Sequence, residues 1–160
     1  MLTKEQAIKK YKLEPLTPEG GYFRRIYESE PMNAASRRYA ASIYYMLEAP
    51  DFSCFHRIDC DELWHFLGGT EMVLYQILPD GQLTETVLGD ALSDEAVMPF
   101  ALIKKGTWFA ARIKNNNGFG LVGCTTIPEF LYHTFEAGTA AGLNKLFPQH
   151  SELITELTRR

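Results

Sequence analysis

No apolar run in this 160-residue chain approaches the length of a bilayer-spanning helix, so the sequence does not read as a membrane protein. Positive charge is also sparse. Sixteen lysines and arginines against 20 acidic residues give a formal net charge of −4, with no arginine cluster beyond Arg24-Arg25, Arg37-Arg38 and Arg159-Arg160, so no nucleic-acid partner is expected. Cysteine is scarce and odd in number. Cys54, Cys60 and Cys124 match neither a zinc knuckle nor a redox CxxC spacing, and are expected as reduced, buried or half-buried thiols. The opening MLTKEQAIKKYKL carries no apolar core behind basic residues, so no secretory signal is read and the cytoplasm is the expected compartment. Also missing are a nucleophile elbow, a phosphate-cradling glycine loop and a dinucleotide fingerprint. Small molecules and protein surfaces remain as partners.

What is present is one domain's worth of globular sequence, 18.2 kDa with 46% hydrophobic residues and 12% aromatic. Thr3 followed by Gln6 forms a capping-box pattern, with Ala7, Ile8 and Tyr11 on one helical face, so a short amphipathic helix is expected before Pro15. A Pro-Glu-Gly-Gly turn then precedes a strand from Tyr22 to Glu28, and a loop runs from Ser29 to Ser36. Further strands are expected at 40–47, 71–78, 83–87, 100–103, 107–113 and 119–126, the second and third of the set forming a hairpin around Pro79-Asp80-Gly81-Gln82, with a polar loop over 88–97. About eight short strands separated by turns are the arithmetic of an all-β sandwich or barrel. After residue 128 come an aromatic segment and two short helices around Pro148.

The stretch that carries chemistry is SCFHRIDCDELWHFLGG, residues 53–69. It reads as two antiparallel strands joined by a short polar turn. Alternation puts Cys54, His56 and Ile58 on one inward face and Glu62, Trp64 and Phe66 on the matching one, with His65 on the opposite side beside Leu63 and Leu67. His65 is therefore read as packed outside the barrel or at a subunit contact. A carboxylate beside an imidazole in a partly dry pocket suits a proton shuttle, so His56 and Glu62 are the candidate catalytic pair; the bland alternative is a buried structural pair. Trp64, Trp108, Tyr44 and Tyr22 offer a stacking wall, with plain aromatic core as the alternative for the two tryptophans. Arg24 and Arg25 alternate, so at most one can meet a substrate, and Arg24 is taken as that one.

The blocks PEGGYFR, FHRIDCDELWHF, KGTWFAAR and LVGCTTIP, in this order, resemble the small single-domain cupins grouped as a family of unknown function. The resemblance implies a double-stranded β-helix, the cupin jelly-roll barrel, over about residues 20–127 of a single domain spanning 1–160, commonly as a homodimer. It also implies that His56, Glu62 and Gly69 fill the first cupin motif, with Ile58 and Phe109 where metal-binding cupins carry two further histidines. Two apolar residues among four ligand positions disfavour a divalent metal at His56 and Glu62, so no cofactor is expected and Phe109 is taken as a pocket wall. Thr17 stands where relatives are expected to carry histidine. The expected function is a small-molecule-binding cupin, with three versions: a metal-independent isomerase or epimerase of a polar, carbohydrate-like molecule, a non-catalytic ligand sensor, or a metal-dependent enzyme with an unusual ligand set. The cavity is expected to hold His56 and Glu62 and to open beside the Tyr22 strand.

Overall fold

The computed structural model describes residues 2–33, 37–92 and 94–159; parts of the loops read over 29–36 and 88–97, together with both terminal residues, lie outside the described residues. Helix α1 (Lys4–Tyr11) starts with the capping box, in which the Thr3 hydroxyl accepts from Gln6 N and the Gln6 side chain accepts from Thr3 N. The strands β1 (Glu14–Pro15), β2 (Tyr22–Glu28), β3 (Ala41–Glu48), β4 (Phe52–Arg57), β5 (Asp61–Gly69), β6 (Met72–Ile77), β7 (Leu83–Leu88), β8 (Phe100–Ile103), β9 (Trp108–Ile113), β10 (Phe119–Ile127) and β11 (Glu136–Ala137) follow, closed by α2 (Ala140–Leu146) and α3 (Ser151–Glu156). They form two antiparallel sheets, ordered β1-β2-β3-β10-β5-β8 and β11-β4-β9-β6-β7. This is a jelly roll. The two-residue strands β1 and β11 carry too little periodic sequence to be read without coordinates.

One expectation is corrected. The strands on either side of residues 58–60 do not pair with each other: β4 lies between β11 and β9, and β5 between β10 and β8. The intervening turn is not a polar hairpin tip, because Ile58 and Cys60 are both buried while only Asp59 reaches outward, where Arg37 grips it through two bonds of 2.9 and 2.6 Å. Burying two apolar residues in three draws the chain inward and across to the other sheet. His56 and Glu62 thus come from opposite walls of the barrel.

Between the sheets lies one apolar cluster that includes Leu47, Trp64, Leu74, Ile103, Phe109 and Val122. A second covers the outer face of the five-stranded sheet, where Leu143, Ile154 and Leu157 of the C-terminal helical segment cap Phe55, Tyr75 and Trp108. A third places α1, through Ala7, Ile8 and Tyr11, against Tyr22, Tyr44 and Met46 on the outside of the six-stranded sheet. The helices are lids on the outer faces, which leaves the mouth of the barrel to the loops.

Candidate small-molecule site in the barrel

A cavity of about 190 Å³ opens between the two walls, and both His56 and Glu62 line it. From β4, His56 is buried, and its Nδ1 stands 2.7 Å from the Cys54 carbonyl. A carbonyl only accepts, so Nδ1 carries the hydrogen and Nε2 is the nitrogen presented for chemistry. Facing it at 4.0 Å is Glu19 Oε2. Glu62, from the start of β5, is also buried. Burial first, and the charge of Glu19 second, push its carboxyl up to about 8, against the opposing pull of the neighbouring Trp64 indole and Cys124 thiol. That indole is not within bonding geometry of the carboxyl, and Trp64 Nε1 has no hydrogen-bond partner in the structure. Burial followed by the charges of Glu62 and Glu19 raises the Cys124 thiol well above its ordinary value, so it stays a thiol.

Glu19 was not singled out from the sequence. It reaches the cavity because the Pro-Glu-Gly-Gly turn folds inward. Gly20 has φ of +115°, and a Cβ there would stand 2.1 Å from the Phe52 carbonyl oxygen, so only glycine allows the approach. The turn is held from several sides. Arg159 donates to the Pro18 and Glu19 carbonyls at 3.2 and 3.1 Å, Asp51 accepts from Gly21 N at 3.0 Å, and Tyr45 donates to the Gly20 carbonyl at 3.0 Å. Ser53 Oγ then donates to Glu19 Oε1 at 2.9 Å, fixing the carboxylate itself. The one clue in the sequence was an acidic residue boxed between proline and two glycines inside a recognised block.

The residues read as a substrate wall divide sharply. Trp64 and Phe109 do not line the cavity. Trp64 is sunk in the core, edge-on to Tyr45 at 5.5 Å and to Phe109 at 6.4 Å, and backs Glu62. Phe109 supports the His56 ring from behind, 4.0 Å between centroids. Tyr22 and Tyr44 face the other way, under α1, where Tyr44 packs on Tyr11 at 5.2 Å. Arg24, paired in register with Tyr44, shares that outer face, so the alternation of β2 sends Phe23 and Arg25 to the cavity instead. The cavity-facing arginine is Arg25, and it is already engaged, donating to Glu28 at 2.7 Å and Glu129 at 3.0 Å. Aromatic lining comes from Phe23 and from the segment after Pro128, Phe130, Tyr132 and Phe135.

The donor set does not fit a metal of the usual cupin kind. Ile58 lines the cavity and Phe109 lies behind His56, and among the described residues no group of three or more histidine, cysteine, aspartate or glutamate side chains is arranged to hold a metal ion.

The whole fold is shared with a protein from Shewanella oneidensis of known structure, 36% identical over 99% of both chains with a TM-score of 0.91. A hypothetical protein from Leishmania major is 26% identical over 99% of this chain and 100% of that one, with a TM-score of 0.89. Oxalate decarboxylase from Bacillus subtilis, at 12% identity and a TM-score of 0.57 over 91% of this chain and 37% of its own, shares the fold alone. No curated protein matches. Residues 5–138 match the family profile described as cupin superfamily (DUF985), and with that match over most of the chain and the jelly roll around it, the protein belongs to this cupin family.

Proposed function

We propose that the cavity is the active site of a metal-independent isomerase or epimerase acting on a small polar molecule. The observation that carries this reading is the pairing of a fixed imidazole with a carboxyl raised to about 8, both lining one void. With Nδ1 committed to the Cys54 carbonyl, Nε2 can take a proton from a carbon next to a carbonyl. Glu62, protonated at neutral pH, can give its proton to that carbonyl oxygen, forming an enediol where the deprotonated carbon carries a hydroxyl; Glu62 then takes that hydroxyl's proton while His56 returns its own to the former carbonyl carbon, completing an isomerisation with no proton lost overall. Glu19 stabilises positive charge on the imidazole as it forms. Incubating the protein in heavy water with hydroxy-carbonyl compounds, and reading deuterium at carbon by NMR, tests this. Exchange abolished in His56→Ala supports it; exchange unchanged in both His56→Ala and Glu62→Gln defeats it.

The second reading, a sensor or carrier that binds without turnover, uses the same cavity. Its small size and largely apolar lining favour it, and binding without deuterium exchange would establish it. We also propose association as a homodimer through the outer face of the six-stranded sheet. Leu67, Phe100, Leu102 and Ile127 are exposed on adjacent strands there, with the His65 ring tilted against Phe100 at 5.1 Å. Three free, buried thiols suit the cytoplasm.

A further inference from the structure

The charges around the cavity are unbalanced in one direction. Among the described residues that line it, Arg25 is the one arginine or lysine, and its guanidinium is bound to Glu28 and Glu129. Arg38 lies 3.4 Å from Glu28 and 3.9 Å from Glu129, so two arginines and two glutamates close a neutral cluster at the rim. Inside it, Glu19 and Glu62 face the same void. An anionic ligand would meet two carboxyl groups and, among these lining residues, no uncommitted arginine or lysine.

The walls point the same way. Phe130 stands nearly perpendicular to Tyr132, at 5.2 Å and 72°, and to Phe135, at 6.5 Å and 87°. His56 stacks on Phe135 at 5.0 Å. A corner of electron-rich rings sharing a cavity with two carboxyl groups is the surrounding that a cation recognises, most strongly where water is excluded. The cavity also falls short of the roughly 300 Å³ at which drug-sized sites begin, so its occupant is small.

We propose that this cavity takes a small molecule carrying a primary ammonium group, held by Glu19 and Glu62 against Phe130, Tyr132 and Phe135. This rests on the reading of the cavity as a ligand site and names the ligand's class. A cation there offsets both causes that disfavour ionised Glu62, since it gives a desolvated carboxylate a charged partner and screens it from Glu19; Glu62 then binds as a carboxylate, and the proton donation of the isomerase reading applies only to uncharged ligands. The Trp64 N–H, now unpartnered, would then lie beside a carboxylate rather than a neutral acid.

Three probes with one carbon skeleton separate charge from shape: isobutylamine, isobutanol and isobutyrate, each titrated near neutral pH while the His56 ring signals are followed by NMR. Isobutylamine should bind at least about tenfold more tightly than isobutanol, a difference of about 1.4 kcal/mol, with isobutyrate weakest. Glu19→Gln and Glu62→Gln should each reduce the ratio of amine to isobutanol affinity at least several-fold. The comparison of the three probes on the unaltered protein needs neither variant to fold. Isobutanol or isobutyrate binding as tightly as the amine, or no shift with any of the three, overturns the proposal. If the amine shows no preference while deuterium exchanges into an uncharged hydroxy-carbonyl compound, the isomerase reading stands and only this proposal falls.

Discussion

His56 Nε2 lies 4.0 Å from Glu19 Oε2, within reach of an ion pair and beyond a hydrogen bond, while Nδ1 is fixed on the Cys54 carbonyl. Glu19 therefore acts through its charge, and the same charge is felt by Glu62. In Glu19→Gln the Glu62 carboxyl should titrate below its value of about 8, because the second cause of its elevation is gone while burial remains. Carbon-13 NMR of the Glu62 carboxyl reads this directly. An unmoved midpoint would remove Glu19 from the electrostatics of the site.

Stability should depend on pH through Glu62. Its folded value is raised from 4.5 to about 8, so below about 4.5 both folded and unfolded chains hold the proton and the contribution is fully present. Between those values the unfolded chain has released the proton that the folded one keeps, and stability falls as pH rises, by an amount on the order of a few kcal/mol. Urea unfolding at steps across this window should show the decline in the unaltered protein and a flatter profile in Glu62→Gln. Equal slopes in both would contradict it.

Ile58→His should create what the donor set lacks. Ile58 lines the cavity two residues from His56, so the variant adds a second imidazole to His56 and Glu62 in the first-motif arrangement of a metal-binding cupin. Calorimetric titration with nickel or zinc should give affinity at least about tenfold above that of the unaltered protein. No gain would mean that the two walls stand too far apart to share an ion.

Phe109→Ala should cost about 3–5 kcal/mol, since Phe109 is fully buried against both His56 and Trp64. The His56 ring signals should broaden as their backing is lost. A loss under about 1 kcal/mol would indicate that the core collapses to fill the space.

Sedimentation at micromolar concentration should give a dimer, and Leu102→Asp should shift it to monomer by placing a charge on the exposed face opposite Leu63. A clean monomer for the unaltered chain would end the proposal.

The fold was legible because strand alternation and turn residues are local signals, and β2, β3 and β6 to β10 stand within a residue or two of where the sequence put them. His56 and Glu62 were legible by their spacing, and they do line one cavity. What spacing could not convey was the route between them. A hairpin and a crossing between sheets both place them on inward faces, and only the burial of Ile58 and Cys60 distinguishes the two. Alternation correctly limited β2 to one cavity-facing arginine, but its phase depends on the bulge between Arg25 and Tyr27 and on α1 covering Tyr22, both of them tertiary facts. Glu19 was hidden for a similar reason, as its entry depends on partners far along the chain.

Arg159, which pins the turn bearing Glu19, lies 140 residues beyond it. The sheets close among strands that end at Ala137, whereas the turn that carries Glu19 is pinned from beyond the last helix, so the inner wall of the cavity is tied to a part of the chain that the barrel itself does not use.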